Sequence, residues 1–253
     1  MSLPRGWHFP RLLAHRGGGT LAPENTLAGF EAAYHHGFRA VEFDVMLTAD
    51  GVPVLIHDEE FGRTIPLQGH VAETDYATLR QQDAGGWLDP RFAGEPVPTL
   101  SEALDWLGRQ GLWANVEIKP ARGKEAKTGE VVAAAVAAWQ RQTQSFPPLL
   151  LSSFSQHALQ SARAVAPDLP RAWLVEQVPV DWMQQLQTLD CIALHCDYRH
   201  VGTACIAAVK AAGYGLMCYT VNSIEHAQAL LRAGVDAICT DRLDLCQHFA
   251  GQM

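Results

Sequence analysis

The chain has 253 residues, 48% hydrophobic and 18% charged, with a net charge of -8, which is globular composition without disordered or collagen-like bias. The acidic balance speaks against a nucleic-acid binder, which needs a basic face, so any phosphate must be met locally. No apolar run reaches the roughly 18 residues that cross a bilayer, and the first 11 residues carry two prolines and no apolar signal core; a cytoplasmic protein without membrane insertion is expected.

The first apolar run, 11–16, is strand-like and ends on His15, Arg16 and the triplet Gly17-Gly18-Gly19. The triplet permits positive φ and close backbone approach to a ligand but lacks the Gly-Lys-Ser/Thr of a phosphate-binding P-loop. Pro23-Glu24-Asn25-Thr26 reads as a helix start, with Pro and an acidic residue in the first turn of a helix over 25–36. Strand-like runs follow at 40–46 and 52–57, then a helix at 99–110 and a strand at 113–119. Beyond these, helices are expected at 124–142, 155–166, 181–189, 203–212 and 223–233, alternating with strands at 148–154, 171–176, 191–196, 215–221 and 236–240. Gly37, Gly111, Gly213 and Gly234 stand where helix C-caps are expected, each shortly before a strand.

This rhythm is that of repeated βα units around a parallel sheet. Only the turn Thr48-Ala49-Asp50-Gly51 separates the second and third runs, too short for a parallel crossover, so 52–57 must return antiparallel. Eight parallel strands remain. They fit a single (β/α)8 barrel over 1–253, with 58–97 as a cap insertion after the second barrel strand. An open doubly wound sheet is the alternative.

Barrels of this kind carry their reactive groups at the C-terminal ends of strands. His15, Glu42, Asp44, Glu117 and Lys119 all fall there. In a strand, residues i and i+2 share a face, so Glu42 projects with Asp44 and Glu117 with Lys119. The second and third parallel strands are neighbours in a closed barrel, which brings Glu42, Asp44 and Glu117 within reach of one ion. A hard divalent cation, Mg²⁺ or Ca²⁺, would relieve the mutual repulsion of three carboxylates. Counting one such ion with Arg16 and Lys119, the formal charges balance for a phosphodiester guest and leave an excess for a monoester dianion. The plainer alternative is that Glu42 and Glu117 pair with Arg16 and Lys119 in a barrel-filling ion network, which explains one pair better than the whole set.

Diester hydrolysis needs a base for the attacking oxygen and an acid for the leaving alkoxide, and imidazoles serve both. His15 and His57 are the histidines that end strand-like runs beside these carboxylates. Asn25 is a candidate to orient a metal ligand from behind, and Trp87, in the insertion, a candidate substrate contact. Of the other histidines only His195 stands out, because it ends the sixth parallel strand. The six cysteines, 191, 196, 205, 218, 239 and 246, show no paired metal spacing and read as buried reduced thiols.

Taken in order, His15-Arg16-Gly17, Pro23-Glu24-Asn25-Thr26, Val41-Glu42-Phe43-Asp44-Val45, Ile56-His57-Asp58, Val97-Pro98-Thr99-Leu100, Glu117-Ile118-Lys119, Ser153-Phe154, Tyr219-Thr220-Val221-Asn222 and Thr240-Asp241 resemble the bacterial glycerophosphodiester phosphodiesterases. The resemblance implies a barrel with a small cap and hydrolysis of deacylated phospholipids, such as glycerophosphocholine and glycerophosphoethanolamine, to sn-glycerol 3-phosphate and the free alcohol. By that likeness Glu42, Asp44 and Glu117 bind the metal, His15 and His57 are the acid/base pair, and Arg16 and Lys119 hold the phosphate. Tyr219 departs from the pattern, where tryptophan often lies beside the glycerol. The rival readings are a non-catalytic glycerophosphodiester-binding protein, which needs no proton relay, and a metal-dependent sugar-phosphate isomerase or aldolase barrel. The partner implied is a small-molecule substrate; monomer and homodimer both remain open.

Overall fold

A computed structural model describes residues 5–143 and 149–249, apart from the side chains of Cys246 and His248. Nine strands form one sheet: β1 (Leu12–Ala14), β2 (Ala40–Leu47), β3 (Pro53–Leu55), β4 (Trp113–Ile118), β5 (Leu150–Ser153), β6 (Arg171–Val175), β7 (Ala193–Asp197), β8 (Gly215–Tyr219) and β9 (Ala237–Thr240). The sheet runs β1-β9-β8-β7-β6-β5-β4-β2-β3, and a further β1–β2 pairing closes it. β3 pairs antiparallel with β2 and every other pairing is parallel. The result is the closed eight-stranded barrel that the spacing of the runs predicts, and the open-sheet alternative is excluded.

The helices between strands are α1 (Leu27–His35), α3 (Leu100–Gln110), α4 (Glu125–Gln142), α5 (Gln156–Val165), α6 (Trp182–Leu189), α7 (Thr203–Ala211) and α8 (Ile224–Ala233); α2 (Tyr76–Leu79) lies in the long β3–α3 connection. Polar side chains cap four of them. Thr26, Ser155 and Ser223 each accept a backbone N–H of the first turn, and Thr99 and Glu102 form a reciprocal capping box at α3. Gly111 and Gly234 cap in the left-handed region as expected, whereas Gly37 and Gly213 stand one residue beyond their caps, His36 and Ala212.

Several boundaries shift for physical reasons. The first run stops at Ala14 because the chain turns sharply, with Arg16 at φ 50°. Pro23 and Glu24 are not in the first turn of α1: Asn25 at φ 56° precedes the Thr26 cap, which frees Glu24 for ion pairing. Position 148 of the expected fifth run lies outside the described residues. His195 does not end its strand, since β7 continues to Asp197. Its ring is wholly buried 5.9 Å from that of Trp7, whose indole also lies against Trp113 at the start of β4. Burial drives its pKa down to about 3, so it is a neutral core residue away from the cluster at the strand ends.

The core is one continuous apolar cluster between barrel and helices. Every residue of β2 is buried, as both faces of a barrel strand require. A separate cluster forms where the 58–97 segment meets the β2–β3 hairpin, with Phe61, Ile65, Val71, Leu79 and Val97 packed on Met46, Val54 and Ile56. Cys191, Cys196, Cys218 and Cys239 are buried free thiols and Cys205 is half-buried; the Cys246 side chain is outside the described residues. Among the described residues no helix is long and apolar enough to cross a membrane.

Candidate active site

Two neighbouring strands build the acidic floor. β2 and β4 pair in parallel with Asp44 opposite Glu117, so the inward row of one strand, Glu42 and Asp44, meets Glu117 of the other. All three are buried, and each brings an oxygen to within 4.8 Å of the other two. Oxygens that share one ion at about 2.0–2.6 Å lie roughly this far apart. Glu42 Oε2 accepts the Arg16 amide at 3.0 Å, while Asn25 grips Asp44 twice: its amide donates to Asp44 Oδ2 at 2.9 Å and its carbonyl accepts the Asp44 N–H at 3.0 Å.

Burial, followed by the neighbouring carboxylates, holds Glu42 well above the usual carboxylate range and raises Glu117 to about 8. Asp44 moves the other way: burial opposes its charge, but Lys119, His57, Arg16 and the Asn25 hydrogen bond outweigh it. A divalent ion held by the two glutamates would displace protons from them. The sign for metal-free stability follows. With Glu117 titrating near 8 when folded and in the ordinary carboxylate range when unfolded, the native state holds more protons in between, so stability falls as pH rises through that window. Thermal melts of EDTA-treated protein should show Tm decreasing between about pH 5 and 8, and Ca²⁺ or Mg²⁺ should cancel most of the decrease at pH 8. A metal-free Tm that rises across the interval contradicts this assignment.

The two histidines flank the floor in matched geometry. His15 Nδ1–H donates to Asp241 Oδ1 at 2.6 Å, and His57 Nδ1–H donates to Asp58 Oδ1 at 2.6 Å. Both aspartates are held below their ordinary range, Asp58 at about 2, where the hydrogen bonds of Arg63 and His57 outweigh its burial. Being ionised they only accept, so each Nδ1 carries the proton and each Nε2 is left to exchange one. His15 Nε2 lies 3.9 Å from Glu42 Oε2. Burial lowers the His57 pKa, assisted by Lys119 and Arg16 and opposed by Asp44 and Asp58. Asp241 is itself fixed by Asn222, whose amide donates to Oδ2 at 2.8 Å and whose carbonyl accepts the Asp241 N–H at 2.9 Å. His15 and Asp241 stand 226 positions apart and meet because β1 and β9 close the barrel, with Ala14 opposite Thr240.

The glycine turn serves this closure. A Cβ on Gly19, at φ 53°, would stand 2.2 Å from the Asp241 carbonyl oxygen, and one on Gly18 would stand 2.2 Å from that of Ala22. The close backbone approach expected for a ligand is made by the protein's own loops.

Both cations already have carboxylate neighbours. Arg16 Nη1 donates to Glu24 Oε1 at 2.8 Å while its buried Nε, 3.8 Å from Asp44 Oδ2, has no hydrogen bond among the described residues. Lys119 Nζ lies 3.4 Å from Asp44 Oδ1. Arg63, from the 58–97 segment, joins Glu24 and Asp58. The charge balance drawn from sequence thus omitted Glu24, Asp58, Asp241 and Arg63. A cavity of 190 Å³ lies over the floor, walled by both histidines, both cations, Phe154, Leu174, Met217 and Tyr219. The Tyr219 hydroxyl is spent on the Val175 carbonyl at 2.8 Å, and its ring meets the edge of Phe154 at 6.0 Å. Trp87 is not part of this wall; its indole N–H donates to the Ala84 carbonyl at 2.9 Å.

The sequence pattern of the Glycerophosphoryl diester phosphodiesterase family matches residues 15–245, from the first site histidine to beyond Asp241. The chain belongs to this family. It is 31% identical over 230 residues to the glycerophosphodiester phosphodiesterase of Caldanaerobacter subterraneus subsp. tengcongensis, covering 91% of this chain and 93% of that one. Among solved structures, an Oleispira antarctica phosphodiesterase in complex with the product sn-glycerol-3-phosphate superposes with a TM-score of 0.88 at 37% identity, over 96% of this chain and 97% of that one. A Silicibacter pomeroyi protein described as a glycerophosphoryl diester phosphodiesterase superposes with a TM-score of 0.83 at 29% identity, over 98% and 96%.

Proposed function

We propose that this family member hydrolyses glycerophosphodiesters such as glycerophosphocholine and glycerophosphoethanolamine to sn-glycerol 3-phosphate and the free alcohol. The observation that carries the reading is the convergence of three buried carboxylates with two imidazoles, each fixed at Nδ1 by an aspartate and open at Nε2. Family membership and the product in the Oleispira antarctica structure favour the same chemistry.

Three buried carboxylates, with Glu42 and Glu117 pushed above the usual range by burial and by the charge of neighbouring carboxylates, form an oxygen-only donor set that fits Mg²⁺ or Ca²⁺. Glu42, Asp44 and Glu117 would hold the ion, with Asn25 orienting Asp44. When bound, such an ion supplies Lewis-acid polarisation of the phosphoryl oxygens. The chain's own groups do the rest. Arg16 and Lys119 turn their charge to the bound phosphate, compensating what develops on its oxygens. One imidazole accepts at Nε2 the proton of the attacking oxygen; the other, protonated at Nε2, delivers its proton to the departing alkoxide, and the aspartates keep both rings in the needed tautomer. Tyr219 and Phe154 present an apolar wall to the organic part of the substrate. The 58–97 segment serves as the cap of a single-domain barrel over 1–253, and the free thiols favour the cytoplasm as its place of action.

Incubation with glycerophosphocholine and Mg²⁺ or Ca²⁺, followed by ³¹P and ¹H NMR, tests the proposal. The expected products are sn-glycerol 3-phosphate and choline in equal amounts. Phosphocholine, or binding seen by calorimetry without turnover, contradicts it.

A further inference from the structure

One side chain of the cap segment connects two parts of the site that the barrel itself leaves separate. Arg63 follows Gly62, whose φ of 121° lets the chain double back so that the Gly62 N–H meets the Ile65 carbonyl at 3.0 Å. Its guanidinium is used on three nitrogens: Nε donates to Asp58 Oδ2 at 2.6 Å, Nη1 to Glu24 Oε2 at 2.6 Å and Nη2 to Glu24 Oε1 at 2.7 Å. The remaining oxygen of Asp58 takes His57 Nδ1–H, and Glu24 Oε1 also takes Arg16 Nη1. A continuous chain of charge-assisted hydrogen bonds therefore runs His57–Asp58–Arg63–Glu24–Arg16, joining an imidazole and a guanidinium that both line the cavity.

Asp58 is the residue next to His57 and sits on a loop, so nothing in the barrel sheet dictates which way its carboxylate faces. The Arg63 Nε–H takes the oxygen that His57 does not use and leaves the other aimed at Nδ1. Glu24 likewise has no place in α1 and is shared between two guanidiniums. Arg63 is 45% exposed, and ion pairs at such exposure contribute little to folding. Its value lies in geometry, because a planar fork satisfies two carboxylates at once where a lysine ammonium is a point charge.

Resting on the hydrolase reading above, we propose that Arg63 is a positioning residue: it locks Asp58 onto His57 and Glu24 onto Arg16, so that the cap sets the aim of a proton-transfer group and a phosphate-binding group together. It touches neither substrate nor metal in this role.

The test uses the full chain, with Arg91→Ala as control. Arg91 makes another bond from the same segment to the barrel, Nη2 to the Leu21 carbonyl at 3.3 Å, without reaching a site residue. For glycerophosphocholine, Arg63→Ala should lower kcat about 30-fold with KM changed less than about five-fold, in the range of residues that orient catalytic ligands. Arg91→Ala should stay within about two-fold of wild type, and the Tm of each variant within about 4 °C. Added guanidinium should restore part of the Arg63→Ala rate. Acting through Asp58, the change should also be non-additive: Asp58→Asn/Arg63→Ala should fall within about three-fold of the slower single variant. A readout independent of turnover is the downfield Nδ1–H proton resonance of His57, assigned by its loss in His57→Ala, which Arg63→Ala should weaken while the His15 signal persists. This NMR arm separates the inference from the substrate reading, since it holds even where glycerophosphocholine is not cleaved. Should Arg63→Ala not fold, Arg63→Lys gives the same test with a loss in kcat of about ten-fold. Wild-type kcat with an unchanged His57 signal, fully additive losses, or an equal loss in Arg91→Ala would each overturn the proposal.

Discussion

Alanine in place of His15 or His57 should lower kcat for glycerophosphocholine by about 10³-fold or more, because each change deletes one end of the proton path at the phosphorus. The double variant should be at most about ten-fold slower than either single one, since removing one member of a pair that acts together already forfeits the step. Both rings stand at the mouth, 20% and 28% exposed, rather than in the packed core, so Tm should stay close to wild type. That combination separates a catalytic loss from a folding defect. Asp241→Asn should fall between, by about 10- to 100-fold, because the ring remains while its tautomer and aim are no longer enforced. Steady-state kinetics with thermal melts decides this, and a His15→Ala or His57→Ala enzyme at wild-type speed would remove that residue from the reaction.

The second large effect concerns the acidic floor. EDTA should reduce turnover to about 1% of its value or less, with recovery on adding Mg²⁺ or Ca²⁺. Glu117→Gln should do the same without chelator, raising the metal concentration for half-maximal activity by about 10²-fold, since a neutral amide replaces a charged ligand. The same substitution should make the metal-free protein more stable at pH 8, where wild type must keep mutually repelling carboxylates in a buried site. A site built for structure alone would lose stability on this change. Opposite signs for metal-free stability and activity are the mark of a site whose strain is relieved by its ion.

The barrel was legible because its signals are periodic: eight parallel runs, the four-residue Thr48–Gly51 turn that forces β3 to return, and glycines after helices. The convergence of Glu42, Asp44 and Glu117 was legible because i and i+2 share a strand face and barrel neighbours follow from strand order. Asn25 was also within reach of that reasoning, and the structure brings it against Asp44. What escaped was connection rather than composition. Asp241 follows from the same closure rule, since the first and last strands of a barrel must pair, yet it stands in the chain as one more acidic residue after a strand. Glu24 reads in the sequence as a first-turn residue of a helix, and only the left-handed backbone at Asn25 reveals that the helix begins later. Arg63 had no signal of its own: it lies in a segment with no period, and its partners are set by tertiary docking. His195 misled for the opposite reason, since a histidine near a strand end looks reactive until the strand proves two residues longer and the ring faces Trp7.

The most direct measurement is the anomalous scattering of a crystal grown with Mn²⁺. One strong peak is expected about 2.0–2.6 Å from oxygens of Glu42, Asp44 and Glu117 together, with the Nε2 atoms of His15 and His57 facing the space above it. No peak there, or an ion held by one of the three carboxylates and otherwise by groups outside the cavity, would contradict the convergence from which the hydrolysis was derived.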